Sequence, residues 1–278
     1  MLNIARPNFD SLDVFEKCAR GQSPRLEALL QGVSPLISQE FSDYKDAMGA
    51  EGVVEFPRSN AILGFSKDDF LSLYNEQFVK KSGACRLEYE RLLASSPRKK
   101  CPMCSESTVT ALDHHLPKSS YFRHAVNPDN LVPICSRCNE AKKHTMPNAE
   151  SKQFMHPYFD DFSKAPWLEF VFLERDPIEV EFRSIRPAGV SDRAFEKIKS
   201  HFTRLKLNEL YTSNAIVMLE DLKETFSIYF DLLDWESVRE ELSDNLRRCQ
   251  RRPDSWEYAM FSVLSECDWY IQGGFSRI

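Results

Sequence analysis

Four of the eight cysteines fall in two short pairs, Cys101 and Cys104 in "CPMC" and Cys135 and Cys138 in "CSRC", with thirty residues between the pairs. A two-residue spacing forms a turn that presents both sulfurs to one ion, and four thiolates suit tetrahedral zinc with bonds of about 2.3 Å. Four sulfurs leave no open coordination position, so the expected zinc is structural rather than catalytic. The gap is longer than that of an ordinary zinc ribbon, which means the loop between the knuckles carries something more. The remaining cysteines, Cys18, Cys85, Cys249 and Cys267, are scattered and are expected to be ordinary buried or half-buried thiols.

With 278 residues, 42% hydrophobic, 28% charged and nine glycines, the chain is an ordered globular protein of one large or two modest domains. No apolar run approaches the roughly 20 residues of a membrane span, and the first residues lack a signal-peptide stretch. A cytoplasmic protein with no membrane partner is expected, and a reducing cytosol disfavours disulfides. The net charge is -6, yet between Pro97 and Asn148 eight Lys/Arg face four acids, giving that window +4 and leaving the remainder at -10. A basic window in an acidic chain fits a polyanion contacted at one place, although a solvated charged face would look the same by charge alone.

Residues 1–96 read as a helical N-terminal region. In "SKDDFLSLYNEQFV", Ser66 is a candidate N-cap with Asp69 three residues on, and Phe70, Leu73, Tyr74 and Phe78 share a face. Residues 97–148 hold the cysteine pairs. Residues 149–190 form an extension in which "WLEFVFL" and "IEVEFR" read as a β-hairpin, and 191–278 return to helical periodicity, ending in one last helix over "SWEYAMFSVLSECDWYI". The fold class is α+β.

Between the cysteine pairs lies "LDHHLPKSS", followed by "NPDNLVPICSRCNEAKKH". Hydrolysing a phosphodiester needs an activated water, a cation to neutralise charge on the phosphate, and geometry that aligns them. A histidine with an ordinary pKa near 6.5 is mostly neutral in a cytosol and can accept a proton. Adjacent strand residues point to opposite faces, so a bend before Pro117 or a metal shared from the strand edge must reconcile Asp113 with His114.

"LDHHLPKS", "NPDNLVPICSRCN" and "EAKK" together resemble an HNH endonuclease of the zinc-containing treble-clef, ββα-metal kind, over about residues 98 to 146. The flanking helical regions resemble, more loosely, those of bacterial HNH proteins associated with defence against foreign DNA. The resemblance implies that Asp113 and Asn139 ligate a catalytic metal, that His114 is the general base, and that Asn130 completes the catalytic set by pinning the loop and orienting that base. Asp plus Asn are hard oxygen ligands, which favours Mg²⁺ or Mn²⁺. Some members have a third ligand four residues after Asn139, where this chain has Lys143. His144 lies about 140° around the helix and is expected to contact phosphate or solvent. Lys118, Arg137, Lys142, Lys143 and His144 are the candidate nucleic-acid contacts. His115 should face away from His114, while His124, His156 and His201 stand outside any motif.

The function implied is a metal-dependent DNA endonuclease, acting on double-stranded DNA as the effector of an anti-phage or restriction-type system. No Walker A sequence or other sensor is recognisable, so control by a regulatory ATPase or sensor subunit is expected. The alternatives are a non-catalytic zinc module that binds nucleic acid or protein, and an RNA-cleaving toxin.

Overall fold

The computed structural model describes residues 2–49, 56–143, 153–232 and 234–278. The chain divides into two compact units, Leu2–Asp161 and Phe162–Ile278. The division falls within the 149–190 extension of the sequence reading.

In the first unit, helix α1 (Ser11–Ala19) starts at Asp10, whose carboxylate accepts from the amides of Leu12 and Asp13. Helix α2 (Pro24–Gly49) runs for 26 residues with Pro35 inside it. Ser66 caps α3 (Lys67–Ser72) through the reciprocal box with Asp69 that the sequence predicts. The chain then widens into a π-helical stretch, Leu73–Val79. Its return toward α4 (Arg86–Ala94) passes through Gly83, where a Cβ would collide with the Gln77 carbonyl.

Strands β1 (Ala111–His114) and β2 (Leu131–Ile134) pair antiparallel, with Asp113 opposite Val132 and His114 opposite Leu131, and α5 (Ser136–Lys142) follows at once. One continuous core joins these small elements to the helices before them. Phe15 and Cys18 of α1, Val33 and Ile37 of α2, Phe70 and Phe78 pack in the same cluster as Leu112 and Leu131. A four-residue hairpin cannot bury enough surface to hold itself, whereas each phenylalanine buried here contributes about 2 kcal/mol. This is why the 97–148 segment packs as part of a larger unit. Within that core Cys18 and Cys85, both fully buried, bring their sulfurs to 2.8 Å, and the contact with Cys85 pushes the Cys18 thiol well up from its ordinary value.

The second unit opens with the expected hairpin, β3 (Leu168–Arg175) and β4 (Ile178–Ser184), which pairs Phe170 with Phe182 and is shifted by an irregularity between Phe172 and Glu174. The hairpin meets helices α6 (Asp192–Arg204), α7 (Leu207–Leu232) and α9 (Trp256–Leu264), and α8 (Trp235–Cys249) packs on α7 and α9. Phe182 contacts the rings of Tyr211 and Trp256 at 5.9 and 6.4 Å. The single last helix of the sequence reading is two. The amides of Glu266 and Cys267 turn back to carbonyls three residues earlier, which tightens and ends α9 before α10 (Asp268–Ile271) starts. Cys249 is buried and Cys267 half-buried, as expected. The molecule is thus α+β, with two small two-stranded sheets among helices. Among the described residues no helix is long and apolar enough to cross a membrane.

Candidate metal centre and adjoining cleft

The two cysteine pairs converge. The sulfurs of Cys101, Cys104, Cys135 and Cys138 all lie within 4.8 Å of one another, and all four residues are buried. The first pair sits in a tight turn, where the Ser105 amide donates to the Cys101 carbonyl and the Cys101 amide to the Ser107 carbonyl, each at 2.7 Å. The second pair is the start of α5, and Cys135 caps that helix by accepting from the Cys138 amide at 3.4 Å. The Cys104 and Cys135 sulfurs are 4.0 Å apart. Sulfurs around a tetrahedral zinc with bonds of about 2.3 Å lie about 3.8 Å apart, so the donor set fits such an ion. Hydrogen bonds from Cys101, Cys135 and Cys138 hold the Cys104 thiol far below its ordinary range, and chiefly the contact with Cys101 lowers Cys135 to about 7, while the contacts among the four push Cys101 and Cys138 well up. Anionic sulfur packed against neighbouring thiols is the charge distribution a soft divalent cation would complete.

Beside this cluster, β1 and α5 wall an open cleft of about 500 Å³. Asp113, His114, Pro117, Lys118, Asn139 and Lys143 all line it, so three of the predicted chemistry-bearing side chains and two predicted phosphate contacts share one space. The alternation expected of β1 is present, since Asp113 is half-buried and His114 buried. Both reach the cleft because the strand ends at His114.

The ring of His114 is 6% exposed and its Nε2 donates to the Ala125 carbonyl at 2.9 Å, which leaves Nδ1 as the acceptor of a neutral imidazole. Burial lowers its pKa to about 4, against the opposing effect of the Ala125 carbonyl. Tyr74 stands edge-on to the ring at 4.5 Å, and Lys118 places its ammonium 4.2 Å over the centre of the Tyr74 ring. Burial also pulls the Lys118 pKa down.

Asn130 does not reach the cleft. Its Oδ1 accepts from the Leu116 amide at 2.7 Å and the Tyr44 hydroxyl at 3.1 Å, while its Nδ2 donates to the carbonyls of Leu116 and His124 at 3.1 and 3.3 Å. All of its capacity is spent on fixing the loop after His114, so it positions and does not react. Tyr44 in turn lies 3.2 Å from Nε2 of His156, whose Nδ1 accepts from the Tyr158 amide. His115 is turned away from the cleft, with its ring 4.1 Å from that of His156.

Lys142 departs from its expected role as a nucleic-acid contact. It is 2% exposed and holds Oδ2 of Asp113 at 2.8 Å and the His114 carbonyl at 2.7 Å, so its ammonium is engaged inside the protein. Arg137 is half-buried and is not among the cleft-lining residues, because α5 turns the face of Ser136, Asn139, Glu140 and Lys143 to the cleft. Glu140 was not foreseen, although it follows Asn139 on that face. The placement of Lys142 was readable too, since it lies one helical turn beyond the buried Cys138. Tyr44, from a helix 86 residues earlier, carried no local signal. His144 lies outside the described residues.

Among the described residues, the four cysteines are the group of three or more His, Cys, Asp or Glu side chains placed to share a metal. At the cleft the side-chain oxygens include the carboxylates of Asp113 and Glu140 and the carboxamide of Asn139, donors suited to a hard cation that keeps water or phosphate oxygens in its shell.

No family model matches the chain, and no solved structure does. It is similar to Protein ea31 of Escherichia phage lambda, at 25% identity over 232 residues that span 78% of each chain.

Proposed function

We propose that the chain is a metal-dependent endonuclease of the HNH type that hydrolyses DNA phosphodiester bonds, with a structural zinc in the four-cysteine cluster. One observation carries this: a neutral, buried imidazole with its tautomer fixed by a backbone carbonyl opens on the same cleft as an Asp–Asn oxygen pair. A zinc module that only bound nucleic acid would have no use for that pairing.

Asp113 and Asn139 would hold Mg²⁺ or Mn²⁺, which when bound neutralises charge on the phosphate and the departing oxygen. His114 accepts the proton of the attacking water at Nδ1, and its depressed pKa keeps it in the accepting form at neutral pH. Asn130 holds the loop that follows the base, and Lys118 and Lys143 offer ammonium groups to the strand. Double-stranded DNA, a role in an anti-phage or restriction-type system, and restraint by a separate ATPase or sensor subunit rest on the sequence resemblance. The last also follows from the harm that an unrestrained nuclease does to its own cell.

The test is incubation of supercoiled plasmid, linear duplex, single strands and RNA with the zinc-loaded protein across a divalent-ion series. Nicking of duplex DNA with Mg²⁺ or Mn²⁺, reduced at least about 100-fold in His114→Ala, is expected. Undiminished cleavage by a correctly folded His114→Ala would remove the histidine from the reaction, and cleavage of RNA alone would replace the substrate. Co-purification from native lysate is expected to reveal the regulatory subunit; a solitary, constitutively active monomer would refute it.

A further inference from the structure

We infer that Lys142 is an internal counter-cation that makes divalent-metal binding at Asp113 conditional on a phosphodiester. This deepens the nuclease reading and rests on it for the identity of the polyanion. A lysine ammonium that is 2% exposed must be neutralised where it stands, and its neighbours include Oδ2 of Asp113 at 2.8 Å and the His114 carbonyl at 2.7 Å. The carboxylate that should anchor the metal is therefore already balanced by a charge supplied by the protein.

The consequence appears in the charges around the cleft. Asp113 and Glu140 line it on the negative side and Lys118 and Lys143 on the positive side, so the lining is neutral. Lys142, gripping Asp113 from within, tips it to a net positive. A hard divalent cation is held chiefly by anionic oxygen, and here the carboxylate beside the base is shared with an ammonium, its expected partner Asn139 is a neutral carboxamide, and the charge of Glu140 is offset by the lysines of the same lining. A phosphodiester changes that balance by bringing its own negative charge and its own oxygens. Lys118, half-buried against Tyr74, and Lys143, exposed at the end of α5, are placed to receive it. The ion and the strand then bind together, and the free protein stays largely without the ion. Because Lys142 bonds the backbone of the base histidine as well as the carboxylate, the same ammonium keeps Asp113 and His114 in register when the ion arrives.

The experiment is titration of Mn²⁺ into the full-length, zinc-loaded protein, followed by the electron paramagnetic resonance signal of the free aquo ion, with and without a short DNA duplex. His114→Ala is the background, so that the duplex stays intact. Duplex should tighten Mn²⁺ binding at least about tenfold, and Lys142→Met added to that background should tighten binding without duplex by a similar factor, because a repelling charge has gone. A lysine that served only to brace the fold would weaken binding in both conditions when removed. Asp113→Asn should lose binding in both. Equal Mn²⁺ affinity with and without duplex overturns the inference, as does a folded Lys142→Met with unchanged or weaker affinity in the free protein. Should Lys142→Met lose its circular-dichroism spectrum, the duplex dependence of the background protein and a Lys142→Gln variant decide. Plasmid cleavage with duplex-independent ion binding would refute this gate and leave the nuclease standing. Duplex-dependent ion binding without any cleavage would do the reverse.

Discussion

Two sites share the seven residues of α5 and the turn before it, and they are built on opposite terms. The cysteine cluster gathers four soft donors, all buried, and leaves an ion no free position. The neighbouring cleft offers hard donors at an open surface, one of them already bound to a lysine. Burial and donor number separate an ion that belongs to the fold from an ion that exchanges. On the proposed reading the first is bound once, during folding, and the second at each encounter with substrate.

The largest effect should come from the buried site. Cys135→Ala removes a ligand and a helix cap together, and because apparent zinc binding energies run to about 10 kcal/mol, the first unit should lose both zinc and its cooperative melting transition. Zinc release and a thermal melt measure this, and a variant that melts like the parent would erase the contrast. Asn130→Ala deletes four hydrogen bonds in a fully buried position and should cost about 3 kcal/mol, read as a lower denaturation midpoint with zinc still bound.

Acidification should act more gently. Burial lowers the pKa of both His114 and His124 from the ordinary 6.5, to about 4 for His114. A buried neutral imidazole takes up its proton more readily when unfolded, so its contribution to stability is complete above about pH 6.5 and declines as the pH falls toward 4. The loss should be on the order of 2 kcal/mol, measured by denaturant titration at neutral pH and at about pH 5. The smallest effect belongs to the open site's rim. Lys143→Ala should weaken DNA binding a few-fold and reduce its salt slope by about one, and Arg137→Ala should change it less, since Lys143 lines the cleft and Arg137 does not. Fluorescence anisotropy across a salt series separates them, and the opposite ranking would move the strand to another face of α5.

What could be read along the chain was whatever depends on near neighbours. The cysteine spacing, the Ser66–Asp69 cap, the β3–β4 hairpin and the outward turn of His115 are each set within a few residues. The meeting of Tyr44 with Asn130 and of Cys18 with Cys85 joins positions 86 and 67 residues apart, and no local pattern announces such pairs. Lys142 is the instructive miss. Lysine next to a candidate site suggests a phosphate contact, yet helical phase from Cys138 turns it inward, where a carboxylate and a carbonyl replace water.

One atom links the two sites more tightly than proximity alone. The sulfur of Cys135 both belongs to the four-cysteine cluster and accepts the first amide hydrogen bond of α5, the helix that presents Asn139 four residues later. A strong chelator should therefore disable the cleft even where it never enters it, by fraying the helix from its root. On the proposed reading, magnesium alone would not restore such a preparation; it would need zinc first, in that order.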